Sequence, residues 1–223
     1  MKEELLLGEN RIILVGTGHV FQESVDLARS TILEVRPDHV AVELDYHRMK
    51  ALQSKPQEKP SFRDMLKMGV RIAILGSIFA YFQSKVGEET GVFPGAEMHE
   101  AMKAAEEVGA NIELIDQNMV VTLNRLISTM SVFTMLKIIF YMLLPSKISV
   151  DAIDETMVDD MTHELHHLSP SAHRVLLEER DLIMAHNILD LSGTIVVVVG
   201  AGHVKGIKKH LIESYKNYQM EET

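Results

Sequence analysis

Two copies of one pattern decide the fold: IILVGTGHV at residues 12–20 and VVVVGAGHV at residues 196–204. In each copy, an aliphatic run without polar alternation leads into Gly-x-Gly-His. Such a run is typical of a parallel strand that is buried on both faces. The two copies therefore predict two buried strands from opposite ends of the chain, each followed by a turn and a helix.

Two further apolar runs predict strands between these copies, HVAVE at 39–43 and NIELID at 111–116. With the strands predicted at 11–15 and 194–199, they bring the number of predicted strands to four. In the segments between strands, apolar residues recur every three or four positions, which is typical of amphipathic helices. Strands that alternate with helices predict an α/β fold with a mostly parallel sheet, and both ends of the chain contribute to that sheet.

The remaining segments predict large helical insertions rather than further strands. We expect a single α/β domain over residues 1–223, with insertions at about 53–95 and 118–191. The insertions carry two strongly apolar stretches, 62–82 and 132–144. Together these stretches have more apolar surface than a four-stranded core can cover. Since monomers rarely leave large apolar patches in water, we expect these helices to join two copies in a homodimer or larger assembly. The alternatives are that both helices fold back as a second layer on their own sheet, or that they lie on a membrane surface.

The composition excludes several classes of protein. Lys and Arg number 22 against 32 Asp and Glu, a net charge of −10, which argues against a nucleic-acid partner because such binding depends on clustered cations. The absence of cysteine excludes thiolate ligands and nucleophiles and suits a cytoplasmic protein. The start of the chain lacks the apolar core of a signal peptide, and the run at 132–144 is shorter than the roughly 20 residues of a membrane span. Membrane association through a segment absent from this sequence stays open.

The Gly-x-Gly-His turns supply candidate metal ligands. Ligands of open α/β sheets bind beyond the carboxyl ends of the strands, where both turns fall. If the two strands are neighbours, His19 and His203 converge, and Glu43 ends another buried strand. Two imidazoles and a carboxylate suit a divalent ion such as manganese, cobalt or zinc. Four glycines would let the backbone approach a ligand: Gly16, Gly18, Gly200 and Gly202.

Two other interpretations of the turns stay open. A glycine–histidine turn is commonly structural, and a histidine at a helix N-terminus suits inert packing as well as ligation. The second copy also approaches the dinucleotide-binding fingerprint, but one residue too many precedes its third glycine, Gly206. The repeat by itself leaves a paired-histidine site and a structural turn equally open.

Several longer motifs follow one another in the order found in a known family. They are GTGHVFQESVDLARSTILEVRPDHVAVELDYHRMKAL at 16–52, GVFPGAEMHEAMKAAEEVGANIELID at 91–116, TLNRL at 122–126, ERDLIMA at 179–185 and VVVVGAGHVKGI at 196–207. On these motifs the chain resembles the TraB family, the pheromone-shutdown proteins related to the Tiki-type metalloproteases. The resemblance covers most of the chain, and several motifs in one order are far more specific than any single one.

The resemblance implies a divalent-metal site built from the two Gly-x-x-His motifs and Glu43, with Glu97 as a further acidic candidate. It implies metal-dependent hydrolysis of a peptide or small protein. The metal would polarise the scissile carbonyl and activate a water, while Glu43 or Glu97 transfers the proton. Arg125 and Arg180 match the family's arginines and would hold a substrate carboxylate or a developing oxyanion.

One departure from the family supports a different class of function. Relatives usually carry Asp-Arg after the fourth strand, whereas Gln117 follows Asp116 here. If that arginine is required for chemistry, this member binds without turnover. The alternative is therefore a non-catalytic protein of the same fold that captures or sequesters a peptide or small ligand.

A second metal motif competes with the first. HELHH at 163–167 fits His-Glu-x-x-His, the zinc-protease pattern, and His173 falls where a third ligand would stand. The longer pattern requires a glycine at the position of Pro170, and proline cannot make the glycine's turn. Ser169 and Pro170 instead predict the N-cap and first residue of a new helix. A solvated, histidine-rich helix surface is the simpler interpretation.

Overall fold

The computed structural model describes residues 1–18, 22–53, 95–129 and 155–221. The apolar stretches at 62–82 and 132–144, on which the homodimer prediction depends, lie outside these residues. His19 lies outside them as well. The described residues form an α/β fold around a five-stranded sheet.

The sheet confirms the predicted architecture. Its strands are β1 Lys2–Leu7, β2 Asn10–Thr17, β3 His39–Val42, β4 Asn111–Leu114 and β5 Thr194–Gly200. They lie in the order β1-β2-β5-β3-β4, and all neighbours run parallel except β1 and β2. The four predicted strands are present, and both ends of the chain contribute to one mostly parallel sheet.

The edge strand β1 was not predicted. It pairs antiparallel with β2, and its side chains alternate between exposed and half-buried positions. Lys2, Glu3 and Glu4 weaken the strand signal because charged residues are depleted in strands. On an edge strand, charges discourage pairing with another chain. The charged residues that weaken the strand signal of β1 therefore also protect the edge of the sheet from pairing with another chain.

Helices surround the sheet, and no further strand occurs among the described residues. They are α1 Gln22–Val35, α2 Tyr46–Gln53, α3 Ala96–Val108, α4 Met119–Thr129, α5 Glu155–Leu168, α6 Pro170–His173, α7 Glu179–Leu189 and α8 Ala201–Glu221. A π-helical turn, Arg174–Glu178, joins α6 to α7. The Ser169 hydroxyl accepts a hydrogen bond from the Ala172 N–H at 3.2 Å, which confirms the predicted cap of α6. In the described ranges, none of the helices has the length and apolar character needed to cross a membrane.

The strand side chains alternate between two hydrophobic layers. On one face Ile13 and Val15 pack with α1 and α3, and on the other face Ile12 and Leu14 pack with α7 and α8. All four are at most 1% exposed. Burial of a side chain of this size stabilises the fold by about 1.5–3 kcal/mol. The two layers therefore set the register of the sheet and the face toward which each strand end points.

Candidate functional site

The two copies of the repeat end side by side. β2 and β5 are neighbours, with Gly16 paired to Val199 and Thr17 paired to Gly200. The Thr17 hydroxyl donates to the Val199 carbonyl at 3.1 Å, which ties the two strand ends together. The strand adjacency on which the paired-histidine prediction depends is therefore present. Because His19 lies outside the described residues, its approach to His203 stays a prediction.

Glu43 and His203 meet beyond the ends of β3 and β5. The Glu43 Oε1 lies 3.5 Å from the His203 Nε2, and the two residues are 3% and 5% exposed. The Gly200 N–H donates to the Glu43 Oε2 at 2.7 Å. Glu43 follows Val42, which points to the α1 and α3 face, so strand alternation turns Glu43 toward α7 and α8. The structure thus brings together two of the three predicted metal ligands.

The hydrogen bonds of His203 determine its tautomer. Its Nδ1 lies 2.5 Å from the Asp181 Oδ1, and its Nε2 lies 3.1 Å from the Arg180 Nη1. Because a guanidinium can only donate, the Nε2 must accept, and the proton resides on Nδ1, where Asp181 accepts it. Burial raises the pKa of Asp181, and the bond with His203 opposes that rise. The hydrogen bonds therefore direct the Nε2 lone pair of His203 at the Arg180 Nη1, with the Glu43 Oε1 at 3.5 Å from the same nitrogen.

Arg180 uses all five of its N–H groups within the protein. The Nε and Nη2 form a two-bond fork on Asp116, at 3.0 Å and 2.7 Å. The second Nη2 hydrogen goes to the Glu43 Oε1, and the Nη1 donates to His203 and, at 3.2 Å, to the Leu176 carbonyl. Burial acts to lower the pKa of Arg180, but Glu43 and Asp116 outweigh it and raise the pKa above its ordinary value. Arg180 is a permanent buried cation without a remaining donor for substrate.

These five residues form one buried cluster, called here the Arg180 network: Glu43, Asp116, Arg180, Asp181 and His203. Neither Asp116 nor Asp181 was predicted as a site residue from the sequence. The position of Asp116 was an available signal, because it lies two residues beyond the end of β4, just as Glu43 lies one residue beyond the end of β3. Asp181 carried no comparable signal, since its role depends on how α7 packs on α8.

Arg48 extends the network toward its half-exposed side. The Arg48 Nη1 donates to the Asp116 Oδ2 at 3.3 Å and to the Glu43 carbonyl at 3.2 Å. Its side chain is 31% exposed, against 1% for that of Asp116. A second cation therefore borders the buried carboxylates. Arg48 was not predicted as a site residue from the sequence.

Gln117, the departure from the family pattern, belongs to the start of α4. Its side-chain amide donates to the Thr122 hydroxyl at 2.8 Å, and its backbone N–H donates to the Asp116 Oδ1 at 2.8 Å. The side chain is thus directed at α4. Whether the substitution removes turnover stays a prediction.

A single carboxylate, that of Asp45, caps two helices. Its Oδ1 accepts the N–H groups of His47 and Arg48 in the first turn of α2, at 2.7 Å and 3.1 Å. Its Oδ2 accepts the Met119 N–H at the start of α4, at 3.0 Å. Asp45 therefore holds the two helices that follow the ends of β3 and β4.

Glu97 and Arg125, the other two predicted site residues, differ in their exposure. Glu97 is 1% exposed in the first turn of α3, directly after Gly95, which has a φ of 89°. Arg125 lies on α4 with a side chain that is 53% exposed, and it forms an ion pair with Glu179. Glu179 precedes Arg180 in α7, so Arg125 approaches the outer side of the helix that carries the network.

The glycines of the motifs serve different purposes. A Cβ on Gly16 would lie 2.8 Å from the Val204 Cγ2, so Gly16 allows α8 to approach β2. A Cβ on Gly202 would meet only the Leu177 Cδ2 at 3.7 Å, an ordinary contact. Gly206, which resembled part of a dinucleotide fingerprint, lies against Asp181, where a Cβ would be 1.9 Å from the Oδ2. Gly206 therefore makes room for the carboxylate that orients His203.

The histidine-rich helix does not assemble three ligands. The His163 and His167 rings lie 4.4 Å apart, as expected for one helix face, whereas His173 lies against His166 at 5.1 Å. Within the described ranges, no group of three or more His, Cys, Asp or Glu side chains is arranged to hold a metal ion. This finding covers both the zinc-protease motif and the described part of the His203 site.

Comparison with known proteins identifies the family. The family model described as TraB/PrgY/gumN matches residues 6–217. The chain belongs to the TraB/PrgY/gumN family. An uncharacterized protein of Methanocaldococcus jannaschii is 36% identical over 216 residues, covering 92% of this chain and 54% of the relative.

Two mammalian relatives named TraB domain-containing protein also match. The Bos taurus protein is 28% identical and the Homo sapiens protein 27% identical, each covering 90% of this chain and 62% of the relative. The chain therefore spans about half to three fifths of the length of these family members. The motifs quoted above lie within the matched region.

Proposed function

We propose that this TraB-family protein is a metal-dependent hydrolase that acts on a peptide or small protein. The ion would be held by His203 and Glu43 together with His19, the third predicted ligand. The observation that carries the proposal is the 3.5 Å separation of the His203 Nε2 and the Glu43 Oε1, beyond adjacent ends of buried strands. These are donor types that manganese, cobalt and zinc accept.

The surroundings of His203 fit a metal ligand. Metal-binding histidines usually donate their other ring N–H to a carboxylate, which fixes the tautomer and strengthens the ligand. Asp181 does this for the Nδ1 at 2.5 Å, and so leaves the Nε2 without a proton, 3.5 Å from the Glu43 Oε1. The Gly200 N–H likewise fixes the Glu43 carboxylate through its Oε2. Asp181 and Gly200 are therefore positioning groups for the two ligands.

The chain's own residues would supply the remaining functions. A bound divalent ion supplies Lewis-acid polarisation of a carbonyl and lowers the pKa of bound water. Glu43 or Glu97 would accept and return the proton. Arg125, with half of its side chain exposed, is better suited than Arg180 to hold a substrate carboxylate, because Arg180 has all its donors engaged.

A specific observation favours the non-catalytic alternative. The Arg180 guanidinium already donates to the His203 Nε2 and to Glu43, which are the atoms a metal would use. A protein in which this ion pair persists would bind a peptide or small ligand without hydrolysing it. Gln117, in place of the arginine of relatives, agrees with that alternative.

Metal content and peptide cleavage distinguish the two functions. The full chain is purified, and its manganese, cobalt and zinc are measured in the wild type, in His203→Ala and in the His19→Ala/His203→Ala double variant. His99→Ala, on α3 at the opposite face of the sheet, is the matched control. Cleavage of a peptide library is followed by mass spectrometry with a chelator and after each metal is restored.

The hydrolase predicts a metal that is lost in the His203 variants and retained in His99→Ala, with cleavage that follows the metal. A metal bound through His203 without any cleavage supports the binding protein. Equal metal content in all four proteins contradicts a site at His203.

The setting of the protein is part of the same proposal. An acidic, cysteine-free chain with a net charge of −10 supports a cytoplasmic protein that acts on peptides rather than on nucleic acids. The apolar content of residues 62–82 and 132–144 supports a homodimer.

A further inference from the structure

The Arg180 guanidinium stands where the proposed metal would bind. We propose that Arg180 is an internal cation that competes with a divalent ion for His203 and Glu43, so that metal binding requires the guanidinium to withdraw onto Asp116. This inference rests on the proposed metal site and adds a means of controlling it.

The competition concerns particular lone pairs. The Arg180 Nη1 donates to the His203 Nε2 at 3.1 Å, and the same nitrogen lone pair is the only one a metal can use, because Asp181 holds the Nδ1 proton. The Arg180 Nη2 donates to the Glu43 Oε1, the oxygen nearest His203. One nitrogen lone pair cannot serve both cations. The residues are at most 7% exposed, so water cannot readily replace either partner.

The network also contains a place for the withdrawn guanidinium. Three of the five Arg180 hydrogen bonds involve neither Glu43 nor His203: the two-bond fork on Asp116 and the bond to the Leu176 carbonyl. A two-bond fork on a carboxylate is among the stronger side-chain pairings. Arg180 can therefore release both metal ligands and still remain bound on its other side.

The charge of the network favours entry of a cation. The network holds three carboxylates and two guanidinium groups: Glu43 and Asp116 contact Arg180, Asp116 also contacts Arg48, and Asp181 contacts His203. An incoming divalent ion thus meets an excess of negative charge even while Arg180 stays on Asp116. The energetic barrier is the loss of two hydrogen bonds rather than the expulsion of a buried charge into water.

The test is a metal titration of chelator-treated full-length protein. Binding of Mn²⁺ and Zn²⁺ is measured by calorimetry in the wild type, Arg180→Met and His203→Ala. Arg29→Gln is the matched control, because Arg29 forms its ion pairs with Glu100 and Glu107 on the opposite face. We expect Arg180→Met to bind at least about fivefold more tightly than the wild type, the lower end of ordinary coupling between two sites. Arg29→Gln should match the wild type.

A second measurement covers the case in which Arg180→Met fails to fold, since removing one partner of a buried ion pair is often strongly destabilising. Wild-type crystals are grown with and without Mn²⁺. We expect an ion at His203 and Glu43, with the guanidinium moved off both residues and kept on Asp116. An ion bound there while Arg180 retains both hydrogen bonds would overturn the proposal.

The outcomes separate this proposal from the proposed function. Binding that requires His203 but is equal or weaker in Arg180→Met overturns the competition and leaves the metal site standing. Binding that does not require His203 in any variant overturns both.

Discussion

Replacement of Gly206 by alanine tests whether the close packing of α8 on Asp181 holds the His203 tautomer in place. The added Cβ would lie 1.9 Å from the Asp181 Oδ2, 2.6 Å from its Cγ and 3.1 Å from its Cβ. Rotation of the Asp181 side chain about its Cα–Cβ bond relieves the first two contacts, but it breaks the 2.5 Å bond to the His203 Nδ1. The third contact then requires a shift of α8 or α7.

The expected loss follows from three opposing contributions. Loss of a buried hydrogen bond to a charged group destabilises by about 1.5–3 kcal/mol, and overpacking adds about 1–3 kcal/mol. Alanine in a helix recovers about 1 kcal/mol relative to glycine. We therefore expect Gly206→Ala to lower the free energy of unfolding by about 2 kcal/mol or more. In a chain of this size that corresponds to a fall of about 4–8 °C in the melting temperature.

The assay is urea unfolding at neutral pH, with Gly202→Ala as the matched control in the same helix. Its Cβ would make only an ordinary 3.7 Å contact, so Gly202→Ala should be no less stable than the wild type and should gain up to about 1 kcal/mol from the helix propensity of alanine. In an Asp181→Ala background, Gly206→Ala should lose most of its effect, because the clashing carboxylate is gone. A Gly206→Ala protein as stable as the wild type would refute this account of the motif's third glycine.

Two further predictions concern the double cap and the assembly. Asp45→Asn should lower the free energy of unfolding by about 1–2 kcal/mol at pH 7, since the amide nitrogen cannot accept an N–H from one of the two helices. Burial acts to raise the pKa of Asp45, but the N–H groups of Met119 and of the first turn of α2 outweigh it and hold the pKa below 3.8. The stabilisation is thus complete above pH 3.8 and is lost as the pH falls through the lowered pKa, so the variant and the wild type should converge in acid urea titrations. For the proposed homodimer, light scattering at micromolar concentration should give twice 25.1 kDa, and a 25.1 kDa particle unchanged by Phe79→Asp would contradict it.

The strand ends of the site could be predicted because the signal is local. The run from Ile12 to Gly16 specifies a buried strand and a tight turn within a few residues, and so does the run from Val196 to Gly200. Glu43 could be selected for the same reason, since it ends an unbroken apolar strand. Burial of an unpaired carboxylate in the apolar core is costly, so a carboxylate at the end of such a strand is expected at the edge of the sheet where the strands end.

The partners of these residues could not be predicted, because their signal is tertiary. Arg180 was selected only through the family resemblance, and as a substrate-binding group. Its engagement with Asp116 depends on how α7 lies across the ends of β3 and β4, which no periodicity encodes. The role of Asp181 could not be predicted for the same reason, because the residues around it show only the pattern of an ordinary helix. Long-range hydrogen bonds of this kind are decided by packing rather than by local propensity.

The π-helical turn at Arg174–Glu178 determines how α7 is rotated about its axis relative to α6. Each residue of an α-helix advances the side-chain direction by about 100°. Before the turn, Ala172 packs in a small apolar cluster with Leu126, whereas after it Arg180 and Asp181 point at the strand ends. Removing one residue from the turn would leave a continuous helix but rotate one half relative to the other, so that only one face could meet its partners. The turn therefore fixes the rotation of the two helices relative to each other. Residues before the turn face the apolar cluster, and residues after it face the Arg180 network.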